Sequence, residues 1–146
     1  MSVFHRILVA YDGSRDGDAA LALAVELARD QNAELTLLTV VPDAANAAAS
    51  VAAGAVDLEG VYTEMLSGAR ATIPDEVGVT SRIEHGSPAA RITAAAAGHD
   101  LVVMGTHGRG RLGEALIGSV SRDVVHALRG AVLLTRAAEG SDEAAG

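Results

Sequence analysis

Asp100-Leu-Val-Val-Met-Gly-Thr-His-Gly108, nine residues, then Gly118-Ser-Val-Ser-Arg-Asp-Val-Val-His-Ala-Leu128 is the stretch that decides the fold. Leu101 to Met104 is a short apolar run, the pattern of a strand buried on both faces. Val120 to Leu128 reads as a helix. A strand that passes into a helix through a glycine-rich connection is half of a parallel α/β unit. Such a turn also aims backbone N–H groups and a helix N-terminus at one place, which suits an anion, most often a phosphate. The connection carries His107, Arg109 and Arg111 and no acid before Glu114, in a chain of net charge −8. An ordinary surface turn also has a Gly-x-x-Gly pattern, so at this level both readings stand.

Working outward, strand and helix patterns alternate. Val3 to Tyr11 is apolar and β-rich, and predicts the first strand. Ser14 is placed to cap a helix whose first turn holds Asp16 and Asp18, and Ala20, Leu23, Ala24, Leu27 and Ala28 follow at helical spacing. Glu34 to Val41 predicts a second strand ending at Pro42. Leu58, Val61, Tyr62, Met65, Leu66, Ala69 and Ile73 step by three and four, an amphipathic helix. Val77 to Glu84 is a third strand, and Ser87-Pro88 opens a helix over Ala89 to Ala97 with Gly98 as its stop. The last helix ends near Gly130, and Ala131 to Arg136 is a fifth strand. Five strands and four helices in alternation predict one doubly wound α/β domain over residues 1–138. Asp43 to Asp57, alanine- and glycine-rich, reads as a mobile connection, and residues 139–146 as an acidic disordered tail.

Composition removes whole classes of chemistry. There is no cysteine, hence no disulfide framework, zinc-thiolate site or thiol nucleophile. All 11 bases are arginine, which excludes a P-loop, Schiff-base or general-base lysine. The negative balance disfavours a nucleic-acid backbone as partner. No apolar run approaches the roughly 18 residues of a membrane span, and the N-terminus lacks a signal-peptide layout, so a cytoplasmic protein is expected. The acidic, lysine-free composition fits either a halophilic habitat or a GC-rich coding sequence.

In an open parallel sheet, ligands bind beyond the carboxyl ends of the strands where the strand order reverses. If the first and fourth strands are neighbours there, Ala10-Tyr-Asp-Gly-Ser14 and the loop after Met104 share one crevice, and Asp12 faces the glycines. Asp12 would then hold a ribose or bridge to a metal on the phosphates, or else simply form an Asx turn with Gly13-Ser14. Ser119 and Ser121 can donate hydroxyls or cap the last helix. Gly108-Arg-Gly110-Arg-Leu-Gly113 matches the dinucleotide pattern Gly-x-Gly-x-x-Gly, but it follows the fourth strand and lacks the acid about 20 residues on. His5, His85, His99, His107 and His126 show no metal-ligand spacing, and His107 alone sits where solvent or ligand contact would matter. No serine lies in a Gly-x-Ser-x-Gly elbow. No catalytic residue is therefore expected.

Gly105-x-x-Gly108-x9-Gly118-Ser119 resembles the ATP-binding signature of the universal stress protein family. Ile7-Leu-Val-Ala-Tyr-Asp12-Gly-Ser14, His85-Gly-Ser-Pro88 with Ile92, Asp100 to Gly105 and Ala131-Val-Leu-Leu-Thr-Arg136 resemble its other landmarks, over residues 3–136. The resemblance implies an adenine-nucleotide alpha-hydrolase-like fold, a five-stranded parallel sheet ordered 3-2-1-4-5. It places Ala10 and Asp12 at the nucleotide and the Val40 backbone at the adenine. It places Met104, Gly105, Gly108, Gly118, Ser119, Val120 and Ser121 around ribose and phosphates. Arg109, outside the motif, is added as a phosphate partner on charge alone. The expected cofactor is ATP, with or without Mg²⁺ or Mn²⁺, and no metal is held by the protein directly except through Asp12 on Mg-ATP. Family members commonly dimerise through the last strand, here Val132, Leu133, Leu134 and Thr135, which would otherwise be an exposed apolar edge.

The function expected is that of an ATP-binding, homodimeric stress-response or signalling factor, with at most slow hydrolysis or autophosphorylation on Ser or Thr. A competing reading is a nucleotide-free, or AMP- or cyclic AMP-binding, interaction module that reaches partners through the Asp43–Asp57 connection. An enzymatic reading, adenylyl-transfer or flavin-linked chemistry on a related fold, would need catalytic groups that the chain does not display.

Overall fold

The computed structural model of the chain describes residues 2–43, 57–107 and 117–138. Gly108, Arg109, Arg111, the embedded Gly-x-Gly-x-x-Gly pattern, most of the Asp43–Asp57 connection and the 139–146 tail lie outside the described residues.

The elements run β1 (Arg6–Ala10), α1 (Arg15–Gln31), β2 (Glu34–Val41), α2 (Leu58–Ala71), β3 (Val79–His85), α3 (Pro88–Ala95), β4 (Leu101–Gly105), α4 (Ser119–Ala127) and β5 (Ala131–Thr135). A short 3-10 turn, Ala96–Gly98, extends α3. The sheet is five-stranded and parallel in the order β3-β2-β1-β4-β5. This is the expected doubly wound architecture, with four α-helices among the described residues.

A central parallel strand has no polar face because helices cover both sides. Ile7, Leu8 and Val9 of β1 are all 0% exposed. Ile7 and Val9 join Leu35, Leu37, Leu101 and Val103 under α1 and α2. Leu8 joins Leu38, Val102 and Met104 under α3 and α4. Each such side chain contributes about 1.5–3 kcal/mol by leaving water, so both layers are held chiefly by apolar burial. The buried stripe of α1 is Ala20, Ala24 and Ala28, small residues that bring the helix backbone close to the sheet.

Local signals place the helix starts. Ser14 caps α1 by accepting the Gly17 N–H at 3.0 Å, and Asp57 caps α2 by accepting the Gly60 N–H at 3.1 Å. Pro88 stands in the first turn of α3, as expected. The first strand is shorter than its apolar pattern. The Val3 and Phe4 N–H groups donate to Gln31 Oε1, and those of His5 and Arg6 to Asp100 Oδ2, so side chains replace the ladder there. Those two amides also hold the Asp100 carboxyl below its ordinary pKa. β3 begins at Val79 rather than Val77, because the Val77 N–H closes a turn onto the Pro74 carbonyl at 3.0 Å.

Candidate functional site

The strand order reverses between β1 and β4: from β1 the chain builds outward to β2 and β3, then crosses to β4 and β5. Ala10, at the end of β1, is in register with Met104 near the end of β4. A cleft of about 190 Å³ opens there. Its floor is Ala10, Leu38, Val40 and Met104, from three adjacent strands. Tyr62 of α2 and Pro88 and Ile92 of α3 add to its walls from the two faces of the sheet. Asp12, Gly105, His107, Val120 and Ser121 complete the lining. The slot thus combines apolar residues of β2, β4 and α3 with polar groups from the ends of β1 and β4 and the start of α4.

The polar part of the lining is built around a very close backbone approach. A Cβ on Gly105 would stand 2.8 Å from the carbonyl carbon and Cβ of Asp16 and 2.9 Å from the Gly17 nitrogen, so β4 and the first turn of α1 touch through main chain. Asp16, 5% exposed, takes three hydrogen bonds in this junction. Its Oδ1 accepts the Ala137 N–H at 2.8 Å, and Oδ2 accepts the His107 N–H at 3.1 Å. With its proton on Nδ1, the His107 ring also donates to Oδ2, at 3.4 Å. Burial alone would raise the Asp16 pKa. The amides of Ala137 and His107, with the His107 ring, outweigh that and hold it below the ordinary 3.8. His107 is itself 5% exposed, so the ring serves this buried pair rather than solvent.

The two ends of the 108–116 segment are joined. The Gly118 N–H donates to the Thr106 carbonyl at 2.7 Å, and Thr106 in turn donates N–H and Oγ1 to the Thr135 carbonyl. Gly118 then serves as the cap residue of α4, with φ −75° and ψ 164° and no side-chain cap. The first turn of α4 contains no acid. The positive end of this helix therefore lies beside the cleft without the hydroxyl or carboxylate that occupies the same place on α1 and α2. Ser121, 3% exposed, donates its hydroxyl to the Gly105 carbonyl at 2.7 Å, which ties α4 to the end of β4.

The cleft gathers Ala10, Asp12, Val40, Met104, Gly105, Val120 and Ser121 from the sequence reading, and Gly118 and Ser119 stand at the α4 start next to it. Asp12 adopts the Asx turn: its Oδ1 accepts the Ser14 N–H at 3.0 Å and the Ser14 hydroxyl at 2.6 Å. Pro42 after β2, Tyr62 of α2 and Pro88 and Ile92 of α3 also line the cleft; Pro88 and Ile92 belong to a landmark of the sequence, but nothing local marks any of the four as a lining residue. Among the described residues, no three His, Asp or Glu side chains cluster as a metal site, and no helix is long and apolar enough to cross a membrane. A wider groove of about 820 Å³ runs from the start of β1 and β2 along β3. Its charges are mixed, and some of its polar groups are engaged: Arg82 pairs with Glu84 at 3.0 Å, and the His99 ring nitrogens meet the Ala95 carbonyl and Thr36 Oγ1. The cleft at the switch point is the better-formed site.

Fold and cleft together define an open doubly wound α/β domain with its candidate site at the switch point. The sequence model of the universal stress protein family matches residues 4–136, and the chain belongs to that family. A relative assigned to the universal stress proteins in Staphylococcus haemolyticus is 30% identical, over 95% of this chain and 88% of its own. The solved structure of hypothetical protein MJ0577 superposes with a TM-score of 0.74 at 27% identity, over 90% of this chain and 95% of that one. A universal stress protein in complex with cAMP has a TM-score of 0.69 at 23% identity, over 94% of this chain and 100% of its own, a likeness of fold alone.

Proposed function

We propose that this chain is a cytoplasmic ATP-holding stress-response factor that works as a homodimer and turns its nucleotide over slowly or not at all. The observation that carries the reading is the meeting, at the switch point, of a largely apolar slot with an α4 N-terminus whose cap residue is Gly118, with no side-chain cap of its own. Val40, Met104 and Ile92 suit the faces of a planar base, and Ala10 leaves it room. Gly105 and Gly118 bring backbone rather than side chains to the sugar and phosphates, with Gly108, Ser119, Val120 and Ser121 completing the cradle. The glycine spacing Gly105-x2-Gly108-x9-Gly118 supports this, and so does membership of a family whose signature it resembles. The fold itself holds an adenine nucleotide in at least one member, the protein in complex with cAMP. Among the described residues Asp12 is the carboxylate that lines the cleft, and it is the group that would meet a ribose or a Mg²⁺ carried on the phosphates. Arg109 supplies charge to the phosphates. The chain has no lysine to assist phosphoryl transfer, so holding rather than hydrolysis is the expected role. Denaturing the purified protein and separating what it releases should yield ATP. AMP or cyclic AMP in the extract would transfer the site to those nucleotides. An empty extract, with no gain in thermal stability from any adenine nucleotide, would refute the reading.

The two sheet edges differ in a way that supports β5 as the dimer face. β3 carries Arg82, Glu84 and His85, the kind of charges that deter pairing. β5 is Ala131-Val-Leu-Leu-Thr135, with Val132, Leu133, Leu134 and Thr135 half-buried in the single chain. Pairing with the β5 of a second copy would cover both apolar edges. Light scattering at micromolar concentration should give the mass of a dimer, and a Leu134→Arg variant that of a monomer. A monomeric unaltered protein would remove this interface.

A further inference from the structure

The cleft accounts for the groups facing a nucleotide, but not for a carboxylate buried directly behind it. Asp16 lies in the first turn of α1, a position that ordinarily points at water. Here it is 5% exposed and accepts hydrogen bonds from two segments far apart in the chain. One is His107, the last described residue before the glycine-rich segment, held through its backbone N–H at 3.1 Å. The other is Ala137, two residues beyond β5, at 2.8 Å. The Asp16 carbonyl takes a third strand-end contact, from Thr135 Oγ1 at 3.2 Å. Thr135 in turn accepts from Thr106, and Thr106 accepts from Gly118. Asp16 therefore sits at the centre of one hydrogen-bonded unit that includes both ends of the 108–116 segment and the exit of β5. Buried networks of this kind have few alternative arrangements, because each broken bond leaves a polar group unsatisfied away from water.

We propose that Asp16 is a positioning residue for the nucleotide: by holding His107 and Ala137 on one carboxylate, it fixes the end of β4 at Thr106 and His107 relative to Gly118 at the α4 N-terminus and makes phosphate binding depend on the exit of β5. The inference rests on the cleft being the ATP site. Asp16 does not line the cleft and acts only through His107 and the strand ends.

The test is calorimetric titration of ATP into the full-length protein and three variants, well below their melting temperatures. Asp16→Asn keeps the shape but replaces one acceptor oxygen with a donor facing an N–H, and should weaken ATP binding by about tenfold. Ala137→Pro removes a single N–H that never approaches the cleft, and should weaken it by roughly threefold or more. Ile73→Ala is the control for lost stability: Ile73 is 5% exposed, just past the end of α2 in the core layer under α1 and α2, away from the cleft. It should lower the melting temperature and leave ATP affinity within about twofold. If Asp16→Asn folds and binds ATP as tightly as the unaltered protein, the proposal is wrong. If Asp16→Asn does not fold, unchanged affinity in Ala137→Pro is decisive against it. Failure of the unaltered protein to bind any adenine nucleotide overturns the reading of the cleft instead, and this inference with it.

Discussion

Gly118→Asp is expected to abolish ATP binding and leave the domain as stable as before or slightly more so. The backbone at Gly118, φ −75° and ψ 164°, is nearly that of Ser14, φ −74° and ψ 165°, which caps α1. An aspartate needs no unusual conformation there and can take a first-turn N–H of α4 just as Ser14 takes that of Gly17. Aspartate outranks glycine as a helix cap, by a few tenths of a kcal/mol. For an anionic ligand the change works the other way. It fills the helix N-terminus with a fixed negative charge and occupies the N–H groups that phosphates would use. ATP affinity should fall by about 100-fold or more, roughly 2.7 kcal/mol. Gly118→Val should lose binding by bulk alone. A pair of thermal melts with and without ATP separates the two effects. Retained ATP stabilisation in Gly118→Asp would mean that α4 does not hold phosphate.

Gly105→Ala is expected to destabilise the whole domain by about 1–3 kcal/mol. The added methyl would lie 2.8 Å from Asp16 main-chain and Cβ atoms and 2.9 Å from the Gly17 nitrogen, and backbone cannot swing aside as a long side chain can. Nor can α1 retreat without cost, since Ala20 and Ala24 are 0% exposed against the sheet. The strain falls on the junction where Asp16 meets His107, so nucleotide affinity should decline along with stability. Urea denaturation should show a lower midpoint with an unchanged slope. A midpoint equal to that of the unaltered protein would mean that α1 and β4 are not so closely apposed.

The periodicity of the chain carried most of the fold. Glu34–Val41 was delimited by its apolar run and Pro42, and Ser14 by the acids and small residues after it. The strand order came from a resemblance, because parallel neighbours such as β1 and β4 lie more than 90 residues apart and leave no local mark of their pairing. In the site, the glycines announced themselves, since only they permit the backbone contact found at Gly105. Asp16 did not. An acid in the first turn of a helix matches the helix dipole at the surface, and nothing in Ser14-Arg-Asp16-Gly shows that Ala137 and His107 will close over it. His107 was hidden for the same reason, its partner being 91 positions earlier in the chain. Tyr62 reads as an ordinary helix position and reaches the cleft only through tertiary packing.

The central claim is that this cleft holds ATP by its backbone and the α4 N-terminus, and titration of ATP into nucleotide-stripped protein tests it most directly. One ATP per chain should bind, and at 100 times Kd the ligand should add about 2.7 kcal/mol of stability, a rise in melting temperature of roughly 5–10 °C. No heat of binding and no change in melting temperature, with ATP or with Mg-ATP, would contradict the account.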